Sequence, residues 1–361
     1  MQILEDRRAL HRIPELDRDL PQTMAYLSAS LSRLRCRVFS PMEGALCAWF
    51  DFGAASAIAF RSDADALPIQ EQTGLCFASR HPGRMHACGH DGHMAILLEL
   101  ARRLNGKPAL GHNVLLVFQP AEETTGGARD LCDTGLFEKY RVAAIFGLHL
   151  WPGLAAGCIA SRREMMSRSC EVKVDIVGKS AHIARAQEGV DALAAGIAFY
   201  NRVAELERAL PDTVPRLLKF GKFESGTVGN AVSGRTHMEG TLRAFQDEVF
   251  TGLQAMLRSA AEEIRQRFGC EVVVHMNDGY PAVINPDALY GQVRRTVDFA
   301  ELPAPSMITE DFSWYQRRLP GMFFFLGTGD SPPLHTQNFN FDETILLKGA
   351  GFFEKLAENF P

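Results

Sequence analysis

Short apolar runs, each ending in polar side chains, alternate along most of the chain with longer stretches of helical period. Residues 46–50, 57–61, 113–119, 142–147 and 321–326 read as strands. The run 113–119 is apolar almost throughout, as a strand buried on both faces is. Residues 2–12 and 21–35 read as helices, interrupted at Pro14 and Pro21. Residues 128–136 read as another, and Met94 to Leu104 as a strong helix that Asp91 is placed to cap. Strands separated by helices point to the α/β class, with a mostly parallel twisted sheet flanked by helices.

The middle of the chain has a different period. Residues 169–177 alternate polar and apolar, as a strand with one solvated face does. A helix at 190–210, strands at 217–223 and 235–242, a helix at 248–268 and a strand at 271–276 follow. The order β-α-β-β-α-β is that of a ferredoxin-like module. It is expected at 168–281, inserted into a larger domain made of 1–167 and 282–361. Alternating apolar residues on its outer strand offer an edge for dimerisation.

Composition narrows the partners. The 361 residues are 46% hydrophobic and 22% charged, enough for two domains with a large core. A net charge of -5 argues against nucleic acid or an anionic membrane as partner. No apolar run reaches the length of a membrane span, and the N-terminus lacks the layout of a signal peptide. Eight cysteines without paired spacing read as free thiols, so the expected location is the cytoplasm.

The chemistry concentrates in Met85-His-Ala-Cys-Gly-His-Asp-Gly-His93. Thiolate, imidazole and carboxylate are the donors that borderline divalent metals take. Cys88 and His90 would face different ways on a helix, but a turn through Gly89 could bring both to one ion. In sheets of this class ligands bind beyond the carboxyl ends of strands. Asp63 and Asp65, Glu122 and Glu123, His149 and His335 each follow a strand in this reading. Adjacent side chains on an extended segment point apart, so one of Glu122 and Glu123 could ligate a metal while the other serves as a base. Asp65 could orient a ligand, and Asp63 could do the same or fix the loop. In the inserted module His182 could donate to a developing oxyanion. Asn230 with Arg243 could bind a carboxylate.

These motifs, in this order and spacing, resemble the dinuclear-metal amidohydrolases of the aminoacylase and carboxypeptidase family. The nearest subgroup is that of hippurate hydrolase, N-acyl-amino-acid amidohydrolase, N-acetyldiaminopimelate deacetylase and auxin-conjugate hydrolase. The resemblance runs through Leu10-His-Arg-Ile-Pro-Glu-Leu16, Arg61-Ser-Asp-Ala-Asp-Ala-Leu-Pro68, the Cys/His stretch, Gln119-Pro-Ala-Glu-Glu123 and Gly147-Leu-His149. It continues through Gly178-Lys-Ser-Ala-His182, Gly240-Thr-Leu-Arg243, Glu310-Asp-Phe312 and Leu334-His335.

It implies two divalent ions (Zn, Mn, Co or Ni) on Cys88, His90, Glu123, His149 and His335, with Cys88 as the bridge. Glu122 becomes the general base. His182 becomes the oxyanion donor, reaching the neighbouring site of a homodimer built through the inserted lid. Asn230 and Arg243 hold the substrate carboxylate. The substrate implied is an N-acyl amino acid. Dipeptide cleavage, a non-catalytic metal-binding relative and a thiol hydrolase with Cys88 as nucleophile are the alternatives. Ser62, Ser180 and the segments 183–188 and 226–233 depart from the family's usual pattern. Most of these lie where a lid meets substrate, so the resemblance carries the metal chemistry further than the specificity.

Overall fold

The computed structural model describes residues 1–361. Its contacts divide the chain into two units. The larger comprises Met1–Met165, Ile284–Pro305 and Glu310–Pro361, and the smaller Met166–Val283 with Ser306–Thr309. The four residues Ser306–Thr309, which the hydrophobic pattern leaves in the larger domain, pack with the smaller. The Ser167 amide donates to the Ser306 and Ile308 carbonyls, at 3.1 Å each.

In chain order the larger unit opens with α1 (Gln2–His11), α2 (Pro21–Leu31), β1 (Arg37–Phe39), β2 (Leu46–Phe50) and β3 (Ala57–Asp63). Next come α3 (His90–Leu104), β4 (Asn113–Gln119), α4 (Gly127–Asp133), α5 (Leu136–Lys139), β5 (Val142–Trp151) and β6 (Ile159–Ser161). β7 (Glu164–Met166) leads into the smaller unit, which holds β8 (Arg168–Val177), α6 (Ala192–Arg208), β9 (Arg216–Ser225), β10 (Arg235–Ala244), α7 (Asp247–Phe268) and β11 (Glu271–Met276). β12 (Val283–Ile284) leads back to α8 (Asp287–Arg294), β13 (Ala300–Glu301), α9 (Ser313–Gln316), β14 (Gly321–Gly327) and α10 (Leu346–Asn359).

The large sheet has the order β1-β2-β4-β3-β5-β14-β6-β13. Its centre, β4-β3-β5-β14, is parallel throughout. β1, β2 and the β14–β6 pair add antiparallel margins. Every residue of β3, β4 and β14 is buried, as their near-continuous apolar runs require. α3 is apolar almost all round because it lies between the sheet and two further helices, α1 and α10. Three expectations shift in detail. The helix at 21–35 ends at Leu31 and leaves room for β1. The helix at 128–136 divides at Gly135, whose φ of +71 breaks it. β5 runs on to Trp151 because it stays paired with β14 up to Gly327, so His149 lies inside the strand and not beyond it.

The smaller unit is a four-stranded antiparallel sheet of order β11-β8-β10-β9, with α6 and α7 packed on it. Cys170, Val172, Val174 and Ile176 of β8 are buried in its core, and the residues between them point away. The connection β8-α6-β9-β10-α7-β11 is the ferredoxin-like order, and β9 is left as an edge. No helix of either unit is long and apolar enough to cross a membrane.

α1 is tied down by buried charge. Arg7 Nε lies 2.8 Å and His11 Nδ1 2.7 Å from Asp91 Oδ2. His11 Nε2 lies 3.2 Å from Glu71 Oε1. The Arg7 guanidinium also stands over the Phe77 and Phe341 rings. Burial disfavours a charged His11 ring, but Asp91 and Glu71 outweigh it and raise its pKa above the ordinary value. The charged ring therefore stabilises the fold fully below the unfolded imidazole value, and this contribution is lost as pH rises through the higher folded value. The stability difference between wild type and His11→Asn in urea is expected to shrink as pH rises above the ordinary imidazole value of 6.5. A difference constant over that range would show the ring to be neutral throughout.

Candidate metal centre

Three loops at the carboxyl edge of the sheet build the site, and Asp65 joins two of them. This fully buried carboxylate accepts the Glu122 amide at 3.0 Å and the Glu123 amide at 3.2 Å. Its backbone carbonyl accepts His90 Nδ1 at 2.8 Å. That bond fixes the His90 tautomer and leaves Nε2 as the free nitrogen. Nε2 is buried without a hydrogen bond, 3.7 Å from Glu123 Oε1, which is buried without one as well.

The Cys/His loop turns at Gly89, whose φ is +84. A Cβ there would stand 2.8 Å from Leu150 Cδ1, so the turn needs glycine for both conformation and space. The helix starts at His90, directly after this turn. Asp91 is therefore not its cap, contrary to the reading from sequence. It stands in the first turn, where its carboxylate is engaged by Arg7 and His11.

Cys88 Sγ lies 3.3 Å from His149 Nε2, while His149 Nδ1 donates to the Leu150 carbonyl at 2.7 Å. His335 has a φ of +61, its amide donates to the Ala87 carbonyl, and its ring Nε2 stands 3.3 Å from Glu123 Oε1. Ligand atoms of Cys88, Glu123 and His335 lie within 4.8 Å of one another, and so do those of His90, Glu122 and Glu123.

The other histidines of the stretch differ. His93 donates from Nδ1 to Asp63 at 2.6 Å and accepts the Leu150 amide at Nε2, so neither nitrogen is left for an ion. Asp63 also accepts from Arg61, which makes it a support for the loop. His86 is buried with no partner on either nitrogen, and burial pushes its pKa down to about 3.

The donor set fits a divalent metal. Soft sulfur, imidazole and carboxylate converge, and two buried polar atoms in their midst, His90 Nε2 and Glu123 Oε1, make no hydrogen bond. Burial and the nearby carboxyls of Glu123, Glu122 and Asp63 push the Cys88 thiol well up, so the cluster calls for positive charge. Glu122 and Glu123 are adjacent but opposite in character. Burial, with Glu310, Glu123 and Asp311, pushes Glu122 well above the carboxylate range. Burial opposes ionisation of Glu123 too, but His335 and His90 outweigh it and lower its pKa. Carboxyls driven apart in this way take different roles, one as proton carrier and one as permanent anion.

Below the loops lies a network in which Arg61, Gln119, Glu310, Asp311 and Tyr315 have no role assigned from the sequence. Arg61, 2% exposed, donates to Gln119 Oε1 at 2.8 Å, Asp63 Oδ2 at 3.0 Å and Asp311 Oδ1 at 2.8 Å, and pairs with Glu310 at 3.0 Å. Tyr315 donates to Gln119, and Gln119 to Asp311. One signal was legible: an arginine inside an otherwise apolar strand must have buried acids to meet.

In the smaller unit the structure brings together two of the expected residues and keeps the third apart. His182 is exposed on a turn and accepts the Ala184 amide at Nδ1. It bridges Ala231, and the Asn230 carbonyl accepts the Ile183 amide. Both precede β10. Arg243 lies near the far end of that strand and donates to the neutral Met307 carbonyl and Thr241 hydroxyl. The eight residue steps from Arg235 to Arg243 span about 26 Å at strand rise.

Comparison with known proteins agrees with this geometry. The profile of peptidase family M20/M25/M40 matches residues 59–359. A Staphylococcus aureus (strain USA300) protein named as an uncharacterized hydrolase is 33% identical over 374 residues, covering 99% of this chain and 98% of its own. A Bacillus subtilis protein solved as a dinuclear metal binding peptidase of the M20 family is 30% identical, with a TM-score of 0.86 over 99% of this chain and 96% of its own. A structure from methicillin resistant Staphylococcus aureus reaches 0.91 at 26% identity, over 99% of this chain and 96% of its own.

Arg61→Met strands several buried acids and is expected to lower unfolding free energy by about 3–5 kcal/mol in urea. Adding Glu310→Gln and Asp311→Asn is expected to restore part of the loss. No recovery would mean that the arginine acts by packing alone.

Proposed function

Because the chain belongs to peptidase family M20/M25/M40, we propose that this metal-dependent hydrolase cleaves the amide bond of an N-acyl amino acid, releasing a carboxylate and a free amino acid. The observation that carries the reading is geometric: sulfur, imidazole and carboxylate donors converge beside the buried carboxyl of Glu122.

Two divalent ions on Cys88, His90, Glu123, His149 and His335 would supply Lewis acidity to the scissile carbonyl and to a water. Glu122 takes the proton of the attacking water on its carboxylate and hands it to the leaving nitrogen; its raised pKa serves both halves. Asp65 holds the Glu122 and Glu123 amides and so positions the base against the ligands. His182 donates to the oxyanion. Arg243 and Asn230 bind the substrate carboxylate. A thiol mechanism is disfavoured, because a nucleophilic cysteine needs a lowered pKa and Cys88 has a raised one. The eight free cysteines support a reducing compartment, the cytoplasm.

We further propose a homodimer through the smaller unit. Arg243 and the pair His182–Asn230 stand at opposite ends of β10, so one lid does not present both to one substrate. Two copies do, if the partner's His182 completes the site. The surface suits this. Leu193, Ile197 and Tyr200 form an exposed apolar stripe on α6, and exposed Phe223 lies on the edge strand β9. The Phe223 ring reaches α6 at Gly196, which makes the patch continuous.

Hydrolysis of a panel would test the reaction: hippurate, acetyl-methionine, acetyl-diaminopimelate, an auxin conjugate and a dipeptide. Release of one amino acid is expected to stop with EDTA and to return with Mn or Zn. Glu122→Gln is expected to lower kcat by about 10²–10⁴-fold with metal retained. Cleavage of the dipeptide alone would replace the acyl reading with a peptidase one. Turnover by metal-free protein would end both.

Light scattering is expected to give twice the 39.9 kDa chain mass. Ile197→Glu with Tyr200→Glu is expected to give monomers of low activity. Active monomers would refute the shared site.

A further inference from the structure

The segment from Arg7 to Asp17 precedes the residues matched by the family profile, and the reaction assigns it no role. It touches the segments that carry Asp65, Glu122 and His90. The Ala66 amide, next to Asp65, donates to the Glu15 carbonyl at 2.7 Å, and Leu16 pairs with Ala66. The Ala121 amide, next to Glu122, donates to the Asp17 carbonyl at 3.1 Å. Asp17 and Ala121 both have positive φ, 56° and 58°, so neither residue rests in its preferred conformation. The Thr124 hydroxyl donates to the Asp17 carboxylate. At the third loop, His11 and Arg7 clamp Asp91, the residue after His90. The segment is itself anchored, because the Glu15 carboxylate accepts the Gln22 and Thr23 amides at the start of α2.

We propose that residues 7–17 form a positioning strap that sets the spacing of the metal-holding loops, with His11 a positioning residue acting on His90 through Asp91. The inference rests on the metal-centre reading above. Its physical ground is tolerance. Metal donors must meet within tenths of an ångström, and segments that lie far apart along the chain do not hold such a distance alone. The strap supplies a common reference, since it is bonded beside the orienting Asp65, beside the base Glu122 and beside the ligand His90. On the Cys/His side the contact is a buried carboxylate with a guanidinium and an imidazole on the same oxygen, Oδ2. That oxygen belongs to the first turn of α3, so a shift of Asp91 moves the helix start and the His90 ring with it.

Two polar substitutions separate positioning from bulk stability. Asn at position 11 places its amide nitrogen near the place of the ring Nδ1 and can still donate to Asp91. Gln extends to the place of Nε2, towards Glu71. Cobalt affinity would be measured by competition with a chromophoric chelator, along with the visible spectrum of the cobalt protein. His11→Gln is expected to bind cobalt about 10–100-fold more weakly, with altered absorption bands. His11→Asn is expected to stay within about threefold of wild type, at a similar loss of melting temperature. Asp91→Asn, which keeps the shape but loses the charge, is the second variant and is expected to follow His11→Gln. Folded His11→Gln and Asp91→Asn proteins with wild-type affinity and spectrum would overturn the strap while leaving the metal centre intact. A wild-type protein that binds no cobalt, zinc or manganese would overturn the metal-centre reading, and the strap with it.

Discussion

One buried cation organises the ground beneath the site. The Arg61 guanidinium faces Asp63, Glu310 and Asp311 and holds Gln119. Without it, three carboxyls would stand in a medium where an unpaired charge costs several kcal/mol. Its geometry passes outward by hydrogen bonds. Asp63 receives His93, and His93 receives the Leu150 amide beside His149. Asp311 receives Gln119 and the Ala128 amide at the start of α4. Strands β3 and β4 and the 310–312 segment are thus set relative to one side chain. A network in which nearly every donor and acceptor is used has few alternative arrangements, and that rigidity is what a metal site needs from its surroundings.

Above that floor, the division of labour between Glu122 and Glu123 is a matter of neighbours. The two share backbone support from Asp65. Glu122 is buried and faces Glu310 and Asp311, so burial first and like charge second keep its proton affinity high. Glu123 turns toward His335 and His90 and stays ionised. The pair lies in a turn closed by the Gly126 amide on the Ala121 carbonyl, not on the extended segment expected from the sequence. The chemistry of each side then comes from residues remote in sequence.

The smaller unit contributes through its symmetry of ends. The ten-residue strand β10 carries Arg243 near its end, while His182 and Asn230 lie in the segments before its start, too far from Arg243 to meet on one small molecule. In the proposed homodimer, the edge strand and the apolar stripe of α6 would be the means by which a second copy brings the complementary end. Exposed apolar area and divided site residues are two sides of the same proposal.

Much of this was legible along the chain. The strands 113–119 and 321–326, the ferredoxin-like order and the Cys88/His90 loop follow from local periods and from the donor chemistry of single residues. Those signals need only neighbours within a few positions. Asp91 shows where they stop: by local rules it is a helix cap, yet its carboxylate meets Arg7 and His11, eighty residues away. The same limit hid the four partners of Arg61, the place of His149 inside β5, the transfer of Ser306–Thr309 to the smaller unit and the separation of Asn230 from Arg243. The sequence by itself determined the elements, the ligand types and the family resemblance, because periodicity and side-chain chemistry are local. Only the tertiary structure decided which buried charges meet and which carboxyl keeps its proton, because burial and Coulomb energy depend on distances that the chain order does not contain.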